Sequence, residues 1–161
     1  MNYAVIRTDL MSGTNVAADL VSVRVYDGDD TPIEVENGAI VVLGELEDTQ
    51  REVFKGTLAT AASAVKDCVI IATPEVMYDE RKKNLDEFVN EAGTVCRGYI
   101  PRSRNIFSVT KEAFVDGTAP EKGGAVGIGA NGKLDASGTG FGSCIAVEAA
   151  GRYTYYVIKI D

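Results

Sequence analysis

Between residues 123 and 144 the chain reads GGAVGIGANGKLDASGTGFGSC, and this stretch restricts the fold more than any other. Gly127-x-Gly129-x-x-Gly132 fits a dinucleotide fingerprint, and residues 127–133 fit most of a P-loop. Both motifs need a helix whose N-terminus faces phosphate. No helix is expected here, because residues 134–144 hold three glycines in eleven positions, each costing about 1 kcal/mol of helix stability against alanine. Leu134 also stands where a P-loop has the hydroxyl that binds Mg²⁺. Asn131-Gly132 instead predicts a β-hairpin turn joining residues 125–128 to a short strand near Lys133-Leu134.

The rest of the chain repeats this β rhythm. Residues 3–8 are rich in β-formers and precede a Ser12-Gly13 turn signal, and residues 20–26 (LVSVRVY) alternate with the period of a half-buried strand. After the acidic turn Asp27-Gly28-Asp29-Asp30, residues 32–35 lead through Glu36-Asn37-Gly38, a type I′ hairpin signal, into the apolar run 39–43. Residues 51–55 alternate again, and residues 67–72 (DCVIIA) are continuously apolar, as suits a strand covered on both sides. From Cys96 onward, strand signals at 98–101, 106–110, 125–128, 143–148 and 153–160 are separated by turns, in the manner of a small barrel or sandwich.

One segment reads differently. Thr73-Pro74-Glu75 is a good helix start, and Tyr78, Leu85, Phe88, Val89 and Ala92 share one helical face before Gly93. Its middle, DERKKN at 79–84, is wholly polar, so the segment is expected as a short helix or an irregular arm near 74–92. The fold class is therefore mainly β, a single domain over residues 1–161 with a division into lobes 1–72 and 95–161 joined by 73–94.

Composition removes several function classes. The 161 residues carry a net charge of −8, and the excess is local: residues 1–50 hold ten acidic and two basic side chains, and the remainder holds fourteen of each. An acidic chain with one acidic end lacks the basic footprint that nucleic acid requires. No stretch approaches the roughly 18 apolar residues of a membrane span, and MNYAVIRTDL does not read as a secretory signal. With no histidine there is no imidazole base or ligand, and Cys68, Cys96 and Cys144 are isolated among small or apolar residues. Buried free thiols are expected, with no metal, cofactor or catalytic residue assigned. The turn at 27–30 departs from a calcium loop, having Pro32 at the sixth position and Gly38 at the twelfth.

The strongest candidate for a recognition surface is Arg97, Tyr99, Arg102, Arg104 and Phe107, with Lys111 nearby, because arginine and aromatic residues are enriched at interfaces. The same residues equally fit a barrel edge with solvated arginines. Tyr153 and Tyr155 share one strand face, with Tyr156 on the other.

The run KGGAVGIGANGKLDASGTGFGSCIAVEAAGRYTYYVIKI resembles the C-terminal barrel of tailed-bacteriophage capsid decoration, or cement, proteins. The matching pieces are residues 125–128, Gly132-Lys133-Leu134, residues 142–148 and residues 153–160. The stretch ATPEVMYDERKKNLDEFVNEAGTVCRGY with NIFSVTKEAF is similar to virion proteins of phages and prophages of Gram-positive bacteria. The resemblance implies a cement-protein-like β fold and a virion structural role without catalysis. The protein would be made in the host cytoplasm and held on the outer capsid surface, as a homo-oligomer with a trimer favoured. Its partner would be the major capsid protein, with no nucleic acid and no membrane. A head-fibre base, tail-tube or connector subunit, or a non-catalytic β binding module, are the alternatives. The family pattern often includes an extended N-terminal arm that reaches a neighbouring subunit, whereas residues 3–8 here are expected to be strand-like.

Overall fold

Ten strands order the residues described in the computed structural model, which are 2–11 and 19–161. The turn expected at Ser12-Gly13 lies outside the described residues. Strands β1 (Leu20–Tyr26), β2 (Ile40–Leu46), β3 (Val53–Leu58), β4 (Cys68–Ile71) and β5 (Cys96–Tyr99) close into a barrel in the order β1-β3-β2-β4-β5. The β1–β3 pair is parallel and the others are antiparallel, with β5 returning to β1 through Leu20 opposite Tyr99. Strands β6 (Ile106–Val109), β7 (Ala125–Ile128), β8 (Leu134–Asp135), β9 (Gly142–Ala150) and β10 (Tyr153–Ile160) form a second sheet in the order β6-β10-β9-β7-β8. The protein is mainly β, with helical structure confined to short 3₁₀ turns among the described residues.

Period-2 alternation explains how the layers meet. In β1, Val23 and Val25 point into the barrel while Ser22, Arg24 and Tyr26 lie outside. β4 is buried at all four positions because Val69 and Ile71 fill the barrel while Cys68 and Ile70 pack against the second sheet. Its continuous apolar run is therefore that of a strand between two cores. The inter-sheet core adds Phe107, Val109, Val126, Cys144, Ile158 and Ile160. Phe107 meets Phe141 edge-on at 6.1 Å.

Several expectations are corrected. Residues 3–8 do not form a regular strand: Ile6 bridges Val109, Arg7 N donates to Ser108 O, and Thr8–Leu10 turns into a 3₁₀ segment. Buried Ala4, Val5 and Ile6 thus cover the outer edge of β6. Asn37-Gly38 is not a type I′ hairpin turn. Only Gly38 has positive φ, which is the pattern of a type II turn, and residue 35 pairs with Asn90 instead of with β2. The change of sheet falls between Tyr99 and Ile106, not within 73–94, because β5 comes after the arm and completes the barrel.

The segment 73–94 is the irregular arm of the two forms expected, carrying a single 3₁₀ turn at Leu85–Glu87. Local side-chain bonds compete with the helix. Asp79 Oδ1 accepts from Arg81 N, and Glu87 Oε2 accepts from the backbone N–H groups of Lys83 and Asn84. Two buried asparagines fasten the ends of this arm. Asn37 Nδ2 donates to Thr73 O at 2.8 Å, and its Oδ1 accepts from Thr73 N and from Asn90 Nδ2. Asn90 also exchanges both backbone bonds with Val35. Arg24 adds a third tie, bonding Gly93 O as well as the Glu47 carboxylate.

Substituting Asn37→Ala strands buried polar groups of Thr73 and Asn90, so a loss of about 1–3 kcal/mol is expected in urea unfolding. Trypsin should also cut faster at Arg81, Lys82 and Lys83 in this variant, and unchanged cleavage would show that the arm is held by other contacts.

Candidate functional site

The glycine fingerprint is assembled as a hairpin corner. Ala130 to Lys133 form a turn closed by Lys133 N to Ala130 O at 3.0 Å, with φ of 54° at Asn131 and 71° at Gly132. Positive φ at both central positions defines the type I′ turn that the sequence predicts, and β7 pairs with β8 through Ile128 opposite Leu134. The glycines face protein, not an open cradle. A Cβ on Gly127 would lie 2.8 Å from Gly138 Cα, and one on Gly132 would lie 2.8 Å from Ile40 O. Gly132 N donates to Ala59 O, so the corner is docked on the barrel.

The predicted arginine and aromatic patch is only partly assembled. Phe107 is 1% exposed in the inter-sheet core, which removes it from any surface: its strand β6 lies under the N-terminal segment, and its ring packs on Phe141. Tyr99 is half-buried and packs on the same core. Arg102 is held by Asp19 at 2.5 Å, while the exposed Arg104 sits at φ 71° with its N–H bonded to Ile160 O. Arg97 is exposed on the outer face of β5, next to the arm's root, where its N–H donates to Thr73 Oγ1. Lys111 is exposed in a 3₁₀ turn. On β10, Tyr155 is buried and Tyr153 half-buried on one face, while Tyr156 meets Phe114 edge-on on the other.

The acidic turn at 27–30 is closed on itself. Asp27 Oδ1 accepts from Asp29 N and Thr31 N, and Asp30 pairs with Lys55. Among the described residues, no group of three or more His, Cys, Asp or Glu is arranged to hold a metal ion. The three cysteines are free and buried. Burial pushes the Cys68 and Cys96 thiols up to about 11, and it raises Cys144 as well.

A wide opening belongs to the arm. Between its two limbs lies a groove of about 460 Å³, lined by Pro74, Val76, Met77, Tyr78, Phe88 and Asn90 among others. Tyr78 is 93% exposed and Val76 58% exposed, whereas Phe88 is buried. The helical face expected to bury Tyr78 with Phe88 does not exist. The Asn90 amide adds a specific polar feature. Its Nδ2 is committed to the acceptors Val35 O and Asn37 Oδ1, leaving Oδ1 buried and unpartnered. The apolar side chains on the groove suit an aliphatic or aromatic group, with Asp79, Lys82 and Glu91 adding charge at its margin.

No family model, curated protein or solved structure matches the chain. The groove was not read from the sequence because Tyr78 sits at helical spacing from Leu85. The polar block 79–84 was the signal that separates them.

The thiols give a pH prediction. Native Cys68 and Cys96 keep their protons up to about 11, whereas the unfolded chain loses them near 9.0. Stability is therefore complete below the unfolded value and declines as pH rises through the native one. The urea midpoint is expected to fall above pH 9, and to fall less in the Cys68→Ala, Cys96→Ala double variant. An equal fall in both proteins would assign the effect to other groups.

Proposed function

We propose that the protein is a structural component of a tailed-bacteriophage virion, a capsid decoration protein that seats on the outer head surface and holds neighbouring major capsid subunits together. One observation carries this proposal. The pieces that resemble the decoration family are neighbours in one sheet: β7, the Gly132 corner leading to β8, β9 and β10 adjoin in the order β10-β9-β7-β8. Segments scattered over 36 residues of sequence thereby act as one folded unit, which supports a likeness of architecture in place of a chance likeness of turns.

Such a protein works by binding alone. A ligand that prefers the assembled shell shifts the equilibrium towards it by RT ln(1 + [L]/Kd) at each site. The arm is the surface assigned to this contact, since it offers Val76, Tyr78 and the groove beside them on a body held by two packed cores. Exposed apolar and aromatic groups of this kind contribute most where a partner desolvates them.

The test adds purified protein to empty expanded heads of the phage or prophage whose genome carries the gene. Saturable attachment at a fixed ratio to capsid subunits and a raised temperature of head disruption are expected. The double variant Val76→Ser, Tyr78→Ser should lose attachment by tenfold or more while keeping its unfolding temperature. Failure of the wild-type protein to attach, or its assembly into rings or tubes by negative-stain microscopy, would overturn the decoration role.

A further inference from the structure

The second sheet leaves one long strand edge open. β9 pairs with β10 out to Ala150, but on its other side only Gly142 and Ser143 pair with β7. Cys144 completes that side through Gly123 N to Cys144 O and Cys144 N to Gly124 O. Beyond it, residues 145–150 have no backbone partner on the outer edge among the described residues, apart from a weak Cys144 Sγ contact to Ala146 O. Among the described residues the other edges are closed or short, the longest being the three residues 153–155 of β10 that β6 does not reach. The barrel has none, β6 is covered by Ile6 and Arg7, and β8 is two residues long.

An open edge is a template for another strand, and proteins ordinarily protect it with lysine, proline or a covering segment. Residues 145–150 read IAVEAA, with neither lysine nor proline. The one irregularity is a bulge at Ile145, at the root of the open stretch. Val147 is 45% exposed, and Glu148 and Ala149 are exposed, so β9 itself is open to solvent here although Tyr155, its partner on β10, is buried beneath Arg7.

We infer that this edge pairs with the same edge of a second copy, antiparallel about a two-fold axis. The register follows from strand geometry. Opposed residues in an antiparallel pair must both turn their backbone groups towards each other or both away, so identical strands pair about a residue and not between residues. Centring on Glu148 would oppose two carboxylates, which is destabilising. Centring on Ala146 would bring Ser143, whose edge β7 occupies, into the pairing. Centring on Val147 opposes two valines, places Glu148 across from Ala146, and keeps the pairs within residues 145–149.

Charge favours the same occupant. In a chain of net charge −8, residues 145–152 hold one acid, Glu148, and one base, Arg152. Arg152 is engaged by Asp86 at 3.7 Å, so each copy brings one carboxylate, Glu148, to the paired residues, a small part of the total charge. The two-fold dimer stands in place of the trimer implied by the family resemblance, and it does not depend on attachment to a head. Five residue pairs make a small interface, so the association should be concentration-dependent.

Sedimentation of the wild-type protein is expected to show a monomer–dimer equilibrium, and Val147→Lys, which sets two ammonium groups opposite each other, to weaken it at least tenfold. Circular dichroism establishes that the lysine variant is folded. Val147→Cys places the new thiols directly across the axis, with Cβ atoms about 5 Å apart, and should form a disulfide dimer under mild oxidation. Ala149→Cys, about 13 Å from its own copy in this register, should not. A wild-type protein that stays monomeric or forms trimers would overturn the inference, as would equal crosslinking of the two cysteine variants. So would a monomer whose open edge is filled only by a foreign strand.

Discussion

Strands β2 and β4 form a wall shared by two cores. Val41, Val69 and Ile71 fill the barrel, while Ile40, Cys68 and Ile70 pack against the second sheet. A strand with one wet face tolerates polar residues at alternate positions, but a shared wall does not. Its side chains must fit on both faces at once, and a one-residue slip would exchange the two sets. The barrel and the second sheet are therefore positioned relative to one another by the same side chains that fill them. This coupling lets a small β protein present its arm and its hairpin from one rigid body.

Where the chain leaves that wall, polar groups take over the task of holding it. No residue of the arm belongs to either packed core, and hydrogen bonds to Asn37, Asn90 and Arg24 fix its two ends instead. Buried amides of this sort impose geometry that apolar packing leaves free, at the expense of needing every partner in place. Asn37 meets that demand, with its carbonyl accepting twice and its amide donating to Thr73. Asn90 does not, since its Oδ1 is buried without a donor. A buried acceptor left unpaired is costly, and it is the one point at which this network of amides is incomplete among the described residues.

Most strands were legible in the sequence because their signals are local. β1 alternates, β4 is continuously apolar, β10 matches residues 153–160, and the Asn131-Gly132 turn has both positive φ values that its residue types favour. The failures share a different origin. Asn37-Gly38 carries the same dipeptide as Asn131-Gly132, yet Asn37 keeps negative φ and its side chain is bound to Thr73, 36 residues away. Phe107 reads as an interface aromatic beside three arginines, and it is covered by an N-terminal segment a hundred residues earlier. Pairing of the arm through Val35 and Asn90 is likewise long-range. Composition and periodicity report which face of a residue is apolar, and they do not report what distant piece of chain will cover it.

The glycines of the last forty residues tie these observations together. A nucleotide loop uses glycine so that phosphate can approach the backbone, and here the backbone of Gly138 makes that approach to Gly127 instead. The Gly132 corner is pressed equally close against Ile40, a residue of the shared wall, and donates to Ala59 at its margin. Lys133 then bonds Glu36 and the carbonyl of Glu112, so the corner is fixed from both sides. The β7–β8 hairpin is consequently short and docked, and β7 pairs with only the first two residues of β9. Among the described residues, the remainder of β9 continues past it with β10 as its sole neighbour. Cover of β9 stops at the other end of β7, where Gly124 N bonds Glu121 O and Gly123 N bonds Cys144 O, so the chain turns away before it reaches Ile145.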